Sequence, residues 1–219
     1  MARTLTAGAP LARASSALIL LHGRGAGAED ILGLGAGLGL PDVALIAPEA
    51  PGRSWWPTSF LAPSAAMEAH VEAGMSVIDA ALNEARAAGL TARQLSLAGF
   101  SQGACLALEY AARRGGISGV FGLSGGLVGT GDAEGGPEET LYGYGPKVFD
   151  YGTDLSGSTA FLEVHEADPH IPLIRAEHSA RVLRGLGAEV TFRTQAGAGH
   201  GVGEAGIAAL RAHLNRAPA

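Results

Sequence analysis

Residues 98–110 read AGFSQGACLALEY, and within them residues 99–103 fit the pattern G-x-S-x-G. The residues before this pattern, QLSLA (94–98), have the apolar character of a buried strand, and residues 102–113 have apolar side chains at helical spacing. A strand that turns sharply into a helix presents a serine hydroxyl at the edge of a sheet, and the flanking glycines remove side chains that would collide in the turn. Ser101 is therefore predicted to be a nucleophile.

The same pattern occurs a second time, at residues 122–126 (GLSGG), in a chain with 34 glycines among 219 residues. The pattern alone therefore does not choose between Ser101 and Ser124. Ser124 also follows a predicted strand, but glycine, threonine and acidic residues come after it, and no helix begins there. We interpret Ser124 as part of a turn at the end of a strand, in a position to line a pocket.

Short apolar runs alternate with helical patterns along the chain. Apolar strands of this length, separated by helices, are typical of a parallel sheet covered on both faces. The predicted fold class is therefore α/β, with a mostly parallel twisted sheet and helices on both of its faces. The predicted strands are residues 16–23, 43–48, 94–98, 117–123, 160–164 and 189–194, and the predicted helices are residues 28–38, 64–88, 102–113, 173–186 and 202–215.

Length and composition fit a single folded domain over residues 1–219. Hydrophobic residues make up 47% of the chain and charged residues 16%, which excludes a largely disordered protein. The net charge is −6 and Lys147 is the only lysine, so there is no basic cluster of the kind that binds nucleic acid. Cys105 is the only cysteine, which excludes an internal disulfide and a cysteine-based zinc site, and we expect it to be a small core residue.

The apolar run ALILL at residues 17–21 is the candidate for a targeting or membrane segment. It is too short to span a membrane, and no small-residue cleavage site follows it. We interpret it as a buried strand. The expected location is therefore the cytoplasm, without stable insertion into a membrane.

Residues 129–158 interrupt the alternation of strands and helices. This stretch, called here the 129–158 segment, is rich in glycine and acidic residues, with tyrosine and phenylalanine between them. A connection of this length inside a compact domain is usually functional or mobile. Three interpretations remain open, namely a solvated insertion with local turns, a flap over a pocket, and a contact in an oligomer.

A serine hydroxyl needs a base to remove its proton, and in this type of fold an acid and then a histidine follow the serine along the chain. Of the seven histidines, His200 lies in the glycine-rich stretch AGAGHGV (196–202), between the last predicted strand and helix, and is the candidate base. Asp168 follows the apolar stretch FLEV and is the candidate acid. Asp168 can also be interpreted as a cap of the next helix. The alternative acids are Glu163, Glu166 and Asp154.

His165, Asp168 and His170 also have the residue types of a zinc site. No helix with ligand spacing accompanies them, and a serine on a sharp turn would have no purpose in a metal-dependent hydrolase. A metallohydrolase is therefore the less favoured alternative, and we expect neither a metal nor another cofactor.

Acyl transfer needs N–H donors for the negative charge that develops on the substrate oxygen. The backbone N–H of Gln102, directly after Ser101, is one candidate. The backbone N–H of Arg24, in the loop LLHGRGAG (20–27) after the first predicted strand, is the other. These two residues are the predicted oxyanion hole.

Trp55, Trp56 and Phe60 lie in the proline-bounded stretch APGRSWWPTSFLAP (50–63), after a predicted strand. Aromatic side chains at the carboxyl end of a strand can form the wall of an acyl or aryl pocket. They can also pack a loop onto the core. We favour substrate binding, and for Trp56 in particular a place in the pocket wall.

The motifs LLHGRGA, WWPTSF, GFSQGACLALEYAAR, DPHIP and GAGH occur in this order, from about residue 18 to the last predicted helix. Together they resemble the phospholipase/carboxylesterase family of α/β-hydrolases, relatives of the acyl-protein thioesterases, and most of all its small bacterial branch. The resemblance implies an esterase with a Ser–Asp–His triad, no cofactor and frequent homodimers. The residues it implies are Ser101, Asp168 and His200 for the triad, and Arg24 and Gln102 for the oxyanion hole.

Two features depart from the family pattern. Glu166 stands where many relatives have a glycine or another small residue after the histidine, and the 129–158 segment is longer than the usual connection. The resemblance implies hydrolysis of carboxylic esters through an acyl-enzyme, with thioesters and lysophospholipids open as substrates. A protein that binds a small ligand on the same scaffold without catalysis is the alternative from another functional class.

Overall fold

The computed structural model describes residues 3–216, and seven of its strands form one mostly parallel sheet. The strands of this sheet are β1 (Thr4–Gly8), β2 (Ser16–Leu21), β3 (Val43–Pro48), β4 (Leu95–Phe100), β5 (Gly119–Leu123), β8 (Thr159–Ala167) and β9 (Glu189–Ala198). Their order across the sheet is β1-β3-β2-β4-β5-β8-β9, and β1 alone among them is antiparallel to its neighbour. Two short strands, β6 (Gly131–Asp132) and β7 (Lys147–Val148), pair separately within the 129–158 segment.

Five helices cover the two faces of the sheet in the described part of the chain. They are α1 (Ala28–Ala36), α2 (Ser64–Ala87), α3 (Gln102–Arg114), α4 (Leu173–Gly185) and α5 (Glu204–Leu214). Alternate residues of β2 belong to two separate hydrophobic clusters, one shared with α2, α3 and α4 and the other with α1 and α5. All six residues of β2 are buried, because helices lie on both sides of it. The predicted fold class is confirmed.

The bounds of the predicted helices agree with the structure to within two residues at each end. The strand β1 is absent from the sequence-based prediction. It lies at the edge of the sheet, where its residues alternate between half-buried and exposed, so it lacks the continuous apolar run that marks the buried strands. Strands β8 and β9 run further than predicted, to residues 167 and 198, and so carry the chain directly to the acid turn and the His200 loop.

Candidate active site

Ser101 lies between β4 and α3 on a turn of the type the sequence predicts. Its φ is 55° and its ψ is −117°, a conformation that side-chain-bearing residues rarely adopt. A Cβ atom on Gly99 would lie 2.2 Å from the Gly103 carbonyl oxygen, and one on Gly103 would lie 2.1 Å from the carbonyl oxygen of Leu21. The two glycines are therefore required by contacts with backbone atoms, which cannot move aside as a flexible side chain can.

The structure brings the side chains of Ser101, His200 and Asp168 together at the carboxyl edge of the sheet. The distance from Ser101 Oγ to His200 Nε2 is 2.8 Å. His200 Nδ1 lies 2.8 Å from Asp168 Oδ2 and 3.0 Å from Oδ1. With the Asp168 carboxylate accepting from Nδ1–H, Nε2 is the unprotonated nitrogen, which can accept the serine proton.

The Asp168 side chain is fully buried, and its hydrogen bonds hold it as an anion. Oδ1 accepts hydrogen bonds from the backbone N–H groups of His170 (2.8 Å) and Ile171 (3.0 Å). Burial alone would raise the pKa of Asp168, but the hydrogen bond from His200 and the two backbone N–H groups outweigh it and lower the pKa. The hydrogen bonds that cap the following turn are thus made by the same carboxylate that orients the imidazole.

The three alternative acids do not contact His200. Glu163 is buried and accepts hydrogen bonds from the N–H groups of Gly203 (2.7 Å) and Gly206 (3.1 Å), at the start of α5. Glu166 accepts one from Gly197, and Asp154 accepts one from Ser156. Burial raises the pKa of Glu163, although the two glycine N–H groups act in the opposite direction. Glu163 thus fixes the chain that leaves the His200 loop.

Ser124 contacts the same loop from the other side. Its φ is also 55°, and its hydroxyl donates to the carbonyl oxygen of Gly201 at 2.8 Å. The residue is fully buried and does not line the cavity beside Ser101. The second G-x-S-x-G match is therefore a turn at the end of β5, as predicted, but the expected place in a pocket lining is wrong. The Ser124 hydroxyl supports the residue directly after His200.

The predicted oxyanion donors belong to the loop after β2 and to the serine turn after β4. Both Arg24 and Gln102 line the cavity beside the serine hydroxyl. Neither backbone N–H hydrogen bonds to another group within residues 3–216. Both N–H groups are therefore available to a substrate oxygen.

The cavity beside Ser101 has a volume of about 590 Å³. Trp56 and Phe60 line it, together with His170 and His200. Trp55 does not line it. Its indole N–H donates to the carbonyl oxygen of His22 at 3.0 Å, and the two rings lie 5.2 Å apart, so Trp55 supports the loop that carries Arg24 rather than the pocket wall.

Comparison with known proteins shows the family of the chain. A family model described as phospholipase/carboxylesterase matches residues 6–141. The chain belongs to the phospholipase/carboxylesterase family. It is accordingly a hydrolase of carboxylic esters with the α/β-hydrolase fold, and the resemblance noted from the sequence motifs is confirmed.

Solved structures of similar proteins cover nearly the whole chain. The phospholipase/carboxylesterase from Dyadobacter fermentans is 31% identical, with 99% of this chain and 97% of that chain covered and a TM-score of 0.84. Esterase PE8 is 26% identical, with 99% of each chain covered and a TM-score of 0.75. The carboxylesterase of Bacillus cereus, at 16% identity, 100% and 95% coverage and a TM-score of 0.74, shares the fold. No curated protein sequence matches the chain at a significant level.

His22 is a functional-site residue for which the sequence yields no prediction. It is fully buried directly after β2, with Nδ1 2.8 Å from the Gly23 carbonyl oxygen and Nε2 accepting from the Ala50 N–H at 3.0 Å. Both ring nitrogens therefore bond to backbone, and they connect the Arg24 loop to the loop after β3. The available signal is its position at the carboxyl end of an apolar strand, where side chains reach the site of an α/β fold.

The side chain of Gln102 has a role separate from its backbone N–H. Its amide oxygen accepts from the backbone N–H of Trp55 at 2.8 Å, and its amide nitrogen donates to the backbone carbonyl oxygen of Trp56 at 2.7 Å. Both ends of one amide are thus bound to the aromatic loop. In this family member the residue after Ser101 fixes the pocket wall to the serine turn.

The metal-site alternative has no structural support within the described residues. No group of three or more His, Cys, Asp and Glu side chains there is arranged to hold a metal ion. His165 Nδ1 is buried without a hydrogen-bond partner beside Gly199, while Asp168 bonds to His200 and backbone N–H groups.

No helix among residues 3–216 is long and apolar enough to cross a membrane.

Cys105 lines the cavity but stays protonated as a thiol. It lies in α3, and only 1% of it is exposed. Burial raises its pKa to about 12, so it is not a competing nucleophile at neutral pH. It is the small core residue that the sequence predicts.

Proposed function

We propose that the protein is a serine esterase that hydrolyses small carboxylic esters through an acyl-enzyme, with Ser101, Asp168 and His200 as the catalytic triad. Ser101 Oγ attacks the ester carbonyl carbon as His200 Nε2 takes its proton. Asp168 stabilises the imidazolium that forms, and the N–H groups of Arg24 and Gln102 bind the oxyanion. The imidazolium then protonates the leaving alcohol, and the acyl group remains bonded to Ser101.

The second half of the reaction uses the same groups. Water enters the cavity, and His200 Nε2 removes its proton as the oxygen attacks the acyl carbon. The oxyanion collapses, the C–O bond to Ser101 breaks, and the imidazolium returns its proton to the serine oxygen. The products are a carboxylic acid and the free enzyme.

The observation that carries this proposal is the hydrogen-bonded chain from Ser101 Oγ through both nitrogens of His200 to the buried carboxylate of Asp168. It also disfavours a ligand-binding protein without catalysis, because a binding site has no need of a serine on a strained turn beside a base. Thioester and lysophospholipid substrates, a cytoplasmic location and a homodimer stay predictions from the sequence.

The test is hydrolysis of a chain-length series of p-nitrophenyl esters and one thioester, combined with labelling by a fluorophosphonate probe. We expect wild type to hydrolyse esters and to be labelled, and Ser101→Ala to lose about 10⁶-fold in kcat/KM and all labelling. Ser124→Ala is the matched control, since the second serine has the same sequence pattern, and it retains the label. Full hydrolysis by Ser101→Ala would refute the assignment, and wild type that neither labels nor hydrolyses would favour the ligand-binding alternative.

A further inference from the structure

Aromatic side chains are concentrated around the cavity beside Ser101. The chain has only 2 Trp, 4 Tyr and 6 Phe residues. Five of these line the cavity, namely Trp56, Phe60, Phe100, Tyr142 and Tyr144. They come from three separate segments, the loop before α2, the serine turn and the 129–158 segment. Five of the twelve aromatic residues therefore lie where a substrate would bind.

The two tyrosines belong to a closed turn at the tip of the 129–158 segment. Glu138 and Tyr144 form a β-bridge, and the Tyr144 N–H donates to the Leu141 carbonyl oxygen at 3.1 Å. Leu141 is buried and holds the turn against the body of the protein. Tyr142 has a φ of 55°, a conformation that residues other than glycine rarely adopt. The turn is thus held in one particular shape by its own hydrogen bonds and by Leu141.

Two contacts fix the 129–158 segment to two loops that neighbour the cavity. The Tyr142 hydroxyl donates to the backbone carbonyl oxygen of Asp168, in the acid turn. At the base of the segment, the buried Lys147 ammonium donates to the Ala62 carbonyl oxygen at 2.6 Å, in the loop that carries Phe60, and pairs with Asp132. The segment therefore joins the aromatic loop to the acid turn and is pre-organised over the cavity.

The charge of the lining narrows the ligand class. Within the described residues that line the cavity there is no aspartate or glutamate, and Arg24 is the only one with a permanent charge. Its guanidinium donates to the Thr58 carbonyl oxygen and so is already bonded to the protein. Among the described residues that line the cavity, Ile171 is the only one with a large aliphatic side chain. Flat, uncharged ring faces pack better against an aromatic ring of a substrate than against a long flexible acyl chain.

We propose that the substrates are small uncharged esters that carry an aromatic ring, and that Tyr144 of the 129–158 segment binds the ring. This inference rests on the proposed function and names its substrate class. The sequence alone leaves the segment open as an insertion, a flap or an oligomer contact, and the contacts of Tyr142 and Lys147 favour a wall of the substrate cavity. The 129–158 segment would thus be a determinant of substrate specificity.

The test compares esters that differ only in aromaticity, with hydrolysis followed by acid release. Benzyl acetate against cyclohexylmethyl acetate examines the alcohol side, and methyl phenylacetate against methyl cyclohexylacetate examines the acyl side. Each ring contact contributes about two- to tenfold beyond surface burial. We therefore expect wild type to favour the aromatic member of at least one pair by about tenfold in kcat/KM.

The variant Tyr144→Leu is expected to reduce that preference by about two- to tenfold, and Tyr144→Phe to retain it, because the ring and not the hydroxyl makes the contact. Val148→Ala is the matched control, since Val148 lies in the same segment, is 40% exposed and does not line the cavity. It keeps the wild-type preference. Equal rates for both members of both pairs, or an unchanged preference in Tyr144→Leu, would overturn this inference while ester hydrolysis and labelling of Ser101 still support the proposed function. Failure of wild type to hydrolyse any ester would overturn both.

Discussion

The two G-x-S-x-G turns of this protein have the same φ at the serine and different partners. Ser101 and Ser124 end the neighbouring parallel strands β4 and β5, and both have a φ of 55°. The hydroxyl of Ser101 lies 2.8 Å from His200 Nε2, whereas that of Ser124 donates to the carbonyl oxygen of Gly201, also at 2.8 Å. The two serines thus contact consecutive residues of one loop. The difference shows that the pattern encodes a turn, and that reactivity depends on which atom faces the hydroxyl.

The chain directly after each turn accounts for the different exposure of the two serines. Helix α3 begins immediately after Ser101, so the first N–H of the helix is free, and the turn opens into the cavity. After Ser124 the chain continues as a buried segment, in which the N–H groups of Val128 and Gly129 donate to Glu109. Ser124 is therefore enclosed by protein on all sides, and no substrate reaches it.

The largest effect is expected from the change that makes the two hydroxyls alike. In His200→Ala, Ser101 loses its base and becomes as unreactive as Ser124, so kcat/KM for esters is expected to fall about 10⁴-fold or more. Fluorophosphonate labelling should slow in parallel while the thermal unfolding transition remains. His70→Ala, a change of an exposed histidine on α2, is the control and leaves both unchanged. A loss smaller than tenfold in His200→Ala would contradict a histidine base.

The second effect concerns the glycines that lie two positions after each serine. A Cβ on Gly103 would lie 2.1 Å from the Leu21 carbonyl oxygen, whereas one on Gly126 would lie 3.2 Å from side-chain atoms of Arg175 and Ser179. Backbone cannot yield as side chains do. Gly103→Ala is therefore expected to lower the free energy of unfolding by about 3 kcal/mol, and Gly126→Ala by less than about 1 kcal/mol. Urea unfolding of both variants measures the difference, and equal losses would show that the two turns are equally constrained.

The same contrast explains how much of the molecule the sequence predicts. Local periodicity and glycine spacing predict the strand–turn–helix at Ser101, the helix bounds and the parallel sheet. Both are properties of short stretches of sequence. The sequence predicts the candidate triad because each member follows a predicted strand, and parallel strands end at one edge of the sheet. The order and direction of the strands thus bring the side chains of Ser101, Asp168 and His200 together.

The remaining site features depend on partners far apart along the chain. Glu163 bonds to the N–H of Gly203, and Tyr142 to the carbonyl oxygen of Asp168, and no local pattern pairs these residues. The sequence groups Trp55 with Trp56 and Phe60 as substrate-binding residues because all three lie in one proline-bounded loop after a strand, but Trp55 does not line the cavity. Since neighbouring residues of an extended loop point in different directions, one ring faces the cavity and the other packs on His22.

The smallest effect is expected for a change of Ser124 itself. This change tests how far the Ser124 hydroxyl supports the His200 loop. Ser124→Ala removes the hydrogen bond to the Gly201 carbonyl oxygen, which lowers the free energy of unfolding by about 1 kcal/mol. Because Gly201 follows His200, the imidazole is also held less firmly, and we expect kcat to fall about three- to tenfold with KM nearly constant. Ser158→Ala is the matched control, since the Ser158 hydroxyl donates to the Ile117 carbonyl oxygen at the same 2.8 Å, on the opposite edge of the sheet. It should lose similar stability and no kcat. Equal kcat in the two variants would mean that Ser124 acts on stability alone, and that the two turns share a backbone conformation without sharing the active site.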